Sequence, residues 1–201
     1  MARVDVPTVD EIRALHVKHA PSDEAFRLVF THCEIVWRIA ERLIAAAGCD
    51  VDAGLVRAGC LLHDIGVYRL YDAEGRLDLP NYLRHGLLGH ELLAEEGYPD
   101  VLCRFCSCHT GVGLTKEDVL RQGLPLPPAD YLAVTPEERL VMYADTFHSK
   151  STPPRFNSPD AYAAYLRRFG EDKVAAFRAL GAAFGEPRLD DLSAAYGHAL
   201  V

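Results

Sequence analysis

The run Cys60-Leu61-Leu62-His63-Asp64-Ile65-Gly66 sets an imidazole and a carboxylate side by side in otherwise apolar sequence. Any fold this chain adopts has to bury that pair together with partners. An unpaired buried carboxylate is costly, so Asp64 must be neutralised, strongly hydrogen-bonded or bound to a cation. A metal ion meets the requirement if further nitrogen and oxygen donors can reach it. Such donors follow in order: His32 before the pair, then His85, His109 and Asp145 after it. Each stands on or beside an apolar face at helical spacing. His32 lies in the stripe Leu28, His32, Ile35, Ile39, Leu43; His109 follows Leu102, Phe105 and Cys106; Asp145 shares a face with Val141 and His148. One polar residue on an apolar stripe is ordinarily a satisfied core residue. The repetition of the anomaly in successive helical segments argues for a shared site.

The periodicity is helical nearly throughout, without the sustained alternation that builds a sheet. Helices are expected at about 10–19, at 22–47 behind a Ser22 N-cap and ended by Gly48, and at 53–65, delivering His63 and Asp64 at its C-terminal end. An irregular stretch from Tyr68 to Tyr82, with Asp72, Gly75, Asp78 and Pro80, reads as a loop or small hairpin and a candidate lid or pocket wall. Further helices are expected near 83–96, 100–109, 116–121 and 136–148. Three more, near 159–169, 171–184 and 190–199, are expected to pack as a C-terminal cap.

At 201 residues and 49% hydrophobic, the chain can bury one good core, and we read it as a single domain. A formal net charge of -8 without a Lys/Arg cluster disfavours a nucleic-acid polymer as partner and fits a small substrate better. No apolar run approaches the roughly 18 residues of a membrane span, so no membrane partner is expected. Asp5, Asp10 and Glu11 are unlike a signal peptide, which makes the cytoplasm the expected compartment. Of the six cysteines, Cys33, Cys49 and Cys60 fall in or at the end of apolar helical stretches, where a thiol is a small hydrophobe. Cys103, Cys106 and Cys108 precede His109 but lack a second pair to complete a structural zinc site, and read as reduced thiols packed behind it. His16 and His19 share a face of the first helix at i, i+3 spacing and read as surface residues.

His63-Asp64-Ile65-Gly66 resembles the HDIG form of the HD motif, His85-Gly86-Leu87-Leu88-Gly89 resembles a His-x-x-x-Gly segment, and Tyr143-Ala144-Asp145 matches a closing Ala-Asp. In this order the residues resemble the HD-domain superfamily of metal-dependent phosphohydrolases, from about Phe26 to about Ser151. Within it the chain is most similar to small stand-alone members with an extra His pair, among them uncharacterised HDIG proteins and diadenosine tetraphosphate hydrolases. The resemblance implies an all-α helical bundle, a core of about 26–151 and a C-terminal helical cap of about 152–201. It also implies two divalent ions, iron foremost, with Mn, Zn, Co and Ni as alternatives. His32, His63, Asp64 and Asp145 would bind one ion and Asp64, His85 and His109 the second, with Asp64 bridging. His90, close behind His85, competes with it for the ligand role, and the motif match favours His85. The implied activity is hydrolysis of a nucleotide or similar small phosphorylated substrate by a metal-activated water. Asp64 and Lys150 are its expected catalytic residues, and His90, Arg69, Arg84 and Lys150 its expected substrate contacts. One departure is Val67, where many HDIG proteins carry a Lys. Two other readings share the ligands: a mixed-valent di-iron oxygenase cleaving C–C or C–P bonds, and a non-catalytic ligand-binding protein. A homo-oligomer is left open.

Overall fold

The structure is a computed structural model and describes residues 5–201. Among those residues it is a helical bundle of ten α-helices: α1 (Val9–His19), α2 (Asp23–Ala47), α3 (Ala53–Leu62), α4 (His85–Glu95), α5 (Asp100–Ser107), α6 (Lys116–Gln122), α7 (Pro136–Asp145), α8 (Pro159–Leu166), α9 (Glu171–Phe184) and α10 (Asp190–Tyr196). No described helix is long and apolar enough to cross a membrane. Local chemistry fixes the helix ends. Ser22 caps α2 by accepting the Ala25 N–H, and Gly48 ends it in the left-handed conformation that glycine adopts without a Cβ penalty. Thr8 with Glu11, Thr115 with Asp118 and Thr135 with Glu138 form reciprocal capping boxes at α1, α6 and α7.

The long helix α2 is the spine. Its apolar face, Val29, Cys33, Val36, Ile39, Ala40 and Leu43, is buried and packs against α3 and α7. On the other side of α3 lies α5, with α4 packed between α5 and the 3₁₀ segment Ile65–Leu70. The C-terminal helices add a layer in which α9 packs on α7, α2 and α8. Tyr143 of α7 anchors it: its ring meets Phe147, Phe177 and Phe184, and its hydroxyl donates to the Gly185 carbonyl at 3.0 Å. Lys173 of α9 reaches back to the Asp118 carboxylate and donates to the Gly113 carbonyl at 3.1 Å, tying the α6 region to this layer.

Three local expectations change and one, the small hairpin, is refined. Helix α3 stops at Leu62, and the chain tightens into the 3₁₀ turn Ile65–Leu70. The irregular stretch holds a Tyr71–Leu77 antiparallel bridge and a second 3₁₀ segment, Leu79–Arg84. Helix α7 stops at Asp145, because the chain extends into β1 (His148–Ser149), which pairs antiparallel with β2 (Arg155–Phe156). Strand β2 pairs in turn, in parallel, with β3 (Ala199–Leu200), so the last helix ends at Tyr196. Strands of two residues are too short to leave alternation in a sequence.

Candidate metal centre

Five elements deliver the donors. His32 comes from the middle of α2, His63 caps α3 with Asp64 next to it, His85 opens α4, His109 follows α5, and Asp145 closes α7. His32, His63, Asp64, His85 and His109 are buried, and Asp145 is half-buried. Nε2 of His32 lies 2.9 Å from Oδ1 of Asp145 and 3.2 Å from Oδ2 of Asp64. His63 Nε2 is 3.4 Å from the same Asp145 oxygen and 3.2 Å from the His32 Nε2. On the other side of Asp64, its Oδ1 faces Nε2 of His85 at 3.3 Å and of His109 at 3.7 Å. The structure therefore brings together all six residues singled out by the sequence, with the two Asp64 oxygens turned toward different histidine pairs.

Three of the rings are fixed from behind. Nδ1–H of His63 donates to the Cys60 carbonyl at 2.7 Å, that of His85 to Tyr82 at 2.7 Å, and that of His109 to Phe105 at 3.0 Å. With Nδ1–H tied outward, Nε2 of each ring faces inward, the usual orientation of a metal-binding histidine. Nε2 of His85 and Nε2 of His109 lie only 2.9 Å apart. Burial lowers the pKa of both, that of His109 to about 3, so both rings are neutral. Two lone pairs facing each other at that distance call for a cation between them. The same conclusion follows from Asp64, whose Oδ1 is, among the described residues, the buried side-chain polar atom with no hydrogen-bond partner. The carboxylates draw positive charge into the site. Burial opposes charge on Asp64, but Lys150, which reaches its Oδ2, and His63 overcome it and hold the carboxyl well below its usual range. Imidazole and carboxylate donors of this kind, in the groups His32, His63, Asp145 and His63, Asp64, His109, can hold a divalent metal. Neither group includes Cys103, Cys106 or Cys108, and all six cysteines are free.

A cavity of about 580 Å³ opens onto this cluster. Asp64, Asp145, His85, His109 and Lys150 contribute to its lining, together with Arg155, Tyr82, Tyr162 and Tyr165. Three residues expected at the substrate lie elsewhere. Arg69 is drawn to Glu95, Arg84 is exposed at the end of its 3₁₀ turn, and His90 points its Nδ1 at the Ser107 hydroxyl, 3.0 Å away, and its Nε2 toward Asp100. The reason is helical geometry. His90 follows His85 by five residues, well over a turn, and so faces α5. His16 is also corrected, from the surface to complete burial, whereas His19 is half-buried against Glu96. Sequence reasoning missed Arg155, which carries no motif and reaches the cavity through the β1–β2 pairing. It also missed the tyrosines of α8, whose spacing resembles any amphipathic helix.

The model of the HD domain matches residues 29–150. An uncharacterized protein of Methanocaldococcus jannaschii is 37% identical over 149 residues, 72% of this chain and 79% of that one. Two proteins named tRNA (cytidine(56)-2'-O)-methyltransferase, from Picrophilus torridus and Thermoplasma volcanium, are 35% and 31% identical over 128 residues, 64% of this chain. That shared segment spans only 33% and 32% of their lengths. Among solved structures, the HD domain of the L. monocytogenes phosphodiesterase PgpH superposes with a TM-score of 0.53 at 17% identity, over 92% of this chain and 98% of that one. The same domain in complex with Cyclic-di-AMP superposes with a TM-score of 0.52 at 16% identity, over 92% and 97% of the two chains.

Proposed function

Because this chain belongs to the HD-domain family, we propose that it is a metal-dependent phosphohydrolase acting on a nucleotide or similar small phosphorylated compound. The observation that carries this reading is the buried, unpartnered Oδ1 of Asp64 between inward-facing histidines. His32, His63, Asp64 and Asp145 would hold one ion and Asp64, His85 and His109 a second, with Asp64 shared. Of the metals this donor set suits, iron comes first and Mn, Zn, Co and Ni follow. Ions bound there supply a Lewis acid for a phosphoryl oxygen and a nucleophilic water at neutral pH.

The chain's own side chains do the rest. The Cys60, Tyr82 and Phe105 carbonyls orient His63, His85 and His109. The Lys150 ammonium, half-buried beside Asp64, stays protonated: burial opposes its charge, but Asp64 raises its pKa above the usual range. It is placed to offset the charge that grows on a phosphoryl group during transfer. Arg155 adds a second cation to the cavity lining, and Tyr82, Tyr162 and Tyr165 offer ring faces to the organic part of a substrate. A cavity of about 580 Å³ suits a small molecule. That a related HD domain binds Cyclic-di-AMP supports a small phosphorylated ligand for this one. The methyl-transfer activity named for two relatives belongs to chains of which this one spans about a third, and gives no ground for the same activity here.

The test is phosphate release by metal-loaded protein from a panel of phosphomonoesters, phosphodiesters and phosphoanhydrides. Turnover is expected with at least one class, and Lys150→Met should lower kcat/KM on it by about a hundredfold. Inertness across the panel contradicts the reading, and oxygen consumption in its place favours the di-iron oxygenase chemistry.

A further inference from the structure

His32 is held differently from the other histidines of the site. Its Nδ1 meets no carbonyl and instead lies 2.8 Å from Nδ1 of His148, while Nε2 of His148 lies 3.0 Å from Nδ1 of His198. The centroids of successive rings are 5.1 and 5.2 Å apart, and their planes are inclined by 28° and 23°. With nitrogen to nitrogen distances this short, such centroid spacings describe rings joined edge to edge through N–H···N bonds, close to a common plane, rather than rings stacked face to face. The N–H···N chain can run in either direction, and an ion at Nε2 of His32 selects one of the two. With Nε2 given to an ion beside Asp145 and Asp64, His32 would carry its proton on Nδ1 and donate to His148. His148 accepts at Nδ1, so its own proton sits on Nε2 and is donated to Nδ1 of His198.

The small sheet supplies the frame for this chain of imidazoles. His148 is buried in β1, and His198 directly precedes β3. The Phe156 ring of β2, the strand between them, stands 4.9 Å from the His148 ring and 6.1 Å from that of His198. The His198 backbone is fixed in turn, with its carbonyl accepting from the Ser193 hydroxyl at 2.6 Å and its N–H donating to the Ser193 carbonyl at 3.2 Å.

We propose that His148 and His198 are positioning residues for the metal centre, by which the C-terminal segment holds His32 in its Nδ1–H tautomer with Nε2 presented to the ion. The proposal rests on the metal-centre reading above. Its test is chelator competition for each of the two bound ions in wild type, His198→Leu and His198→Asn. Leu keeps bulk but offers no acceptor; Asn returns one, its Oδ1, near the place of the lost Nδ1. The ion held by His32 should bind about tenfold or more weakly in His198→Leu and recover most of that loss in His198→Asn, while the ion held by His85 and His109 is unchanged. Thermal unfolding of the metal-free variants separates packing from hydrogen bonding, since the two should melt together. Affinity unchanged in His198→Leu, or lost equally in both variants, overturns the proposal. A wild type that takes up no metal instead removes the reading beneath it.

Discussion

His16 shows how a single imidazole is accommodated in an apolar core. The Tyr68 hydroxyl donates to its Nδ1 and its Nε2–H donates to the Leu61 carbonyl, each at 2.8 Å, so the neutral ring is fully satisfied. Burial pushes its pKa down to about 4, with the Leu61 carbonyl pulling the other way. An unfolded chain protonates this side chain near pH 6.5, while the folded chain resists until about pH 4. Between those values the unfolded state binds more protons. The contribution is therefore full above pH 6.5 and is lost as pH falls to about 4, by up to about 3 kcal/mol. Urea unfolding of wild type and His16→Gln between pH 7 and 4 should show a shallower loss in the variant, because Gln can make both hydrogen bonds without titrating. Equal slopes would contradict this account. His16 was not legible as a core residue, because its partners Leu61 and Tyr68 lie far along the chain and its i, i+3 neighbour His19 suggested a polar face.

Among the elements, the contact between the 3₁₀ turn Ile65–Leu70 and α4 decides where the two halves of the site meet. A Cβ at Gly66 would overlap the His85 carbonyl and the Gly89 backbone, and one at Gly89 would sit 3.0 Å from the Cys106 side chain. These glycines let backbone meet backbone, which brings His85 up to Asp64. Gly66→Ala is expected to destabilise the protein by about 3 kcal/mol and to weaken binding of the ion held by His85 and His109 more than that held by His32. Chemical denaturation and metal titration of the variant check both; a variant as stable as wild type would show that the approach is not tight. The motif glycines were visible in the sequence, as was the helix that carries or adjoins each histidine, because periodicity and caps are local signals. The small sheet was not, since its pairing joins residues 148–149, 155–156 and 199–200 through contacts that only the folded chain makes. With it went Arg155 and His198.

Taken as a whole, the molecule is an acidic chain, at -8, yet the cavity over the metal centre is lined by acid only where Asp64 and Asp145 stand and by the cations Lys150 and Arg155. The six residues on successive apolar stripes were legible because each was an exception to a clear pattern, and helix packing then brought all six within reach of one another. The proposed substrate contacts were less so: Arg69, Arg84 and His90 lie near the ligands in sequence, yet helical rotation carries them to other faces. All of the proposed chemistry depends on metal held at Asp64. The direct test is metal analysis of protein purified without added metal beside the same analysis of Asp64→Ala, with folding checked by circular dichroism. The account predicts about two equivalents of divalent metal per chain in the wild type and loss of both in a folded variant, because Asp64 faces both histidine pairs. A wild type free of metal after incubation with iron, manganese or zinc, or a folded Asp64→Ala that keeps its full complement, would contradict it.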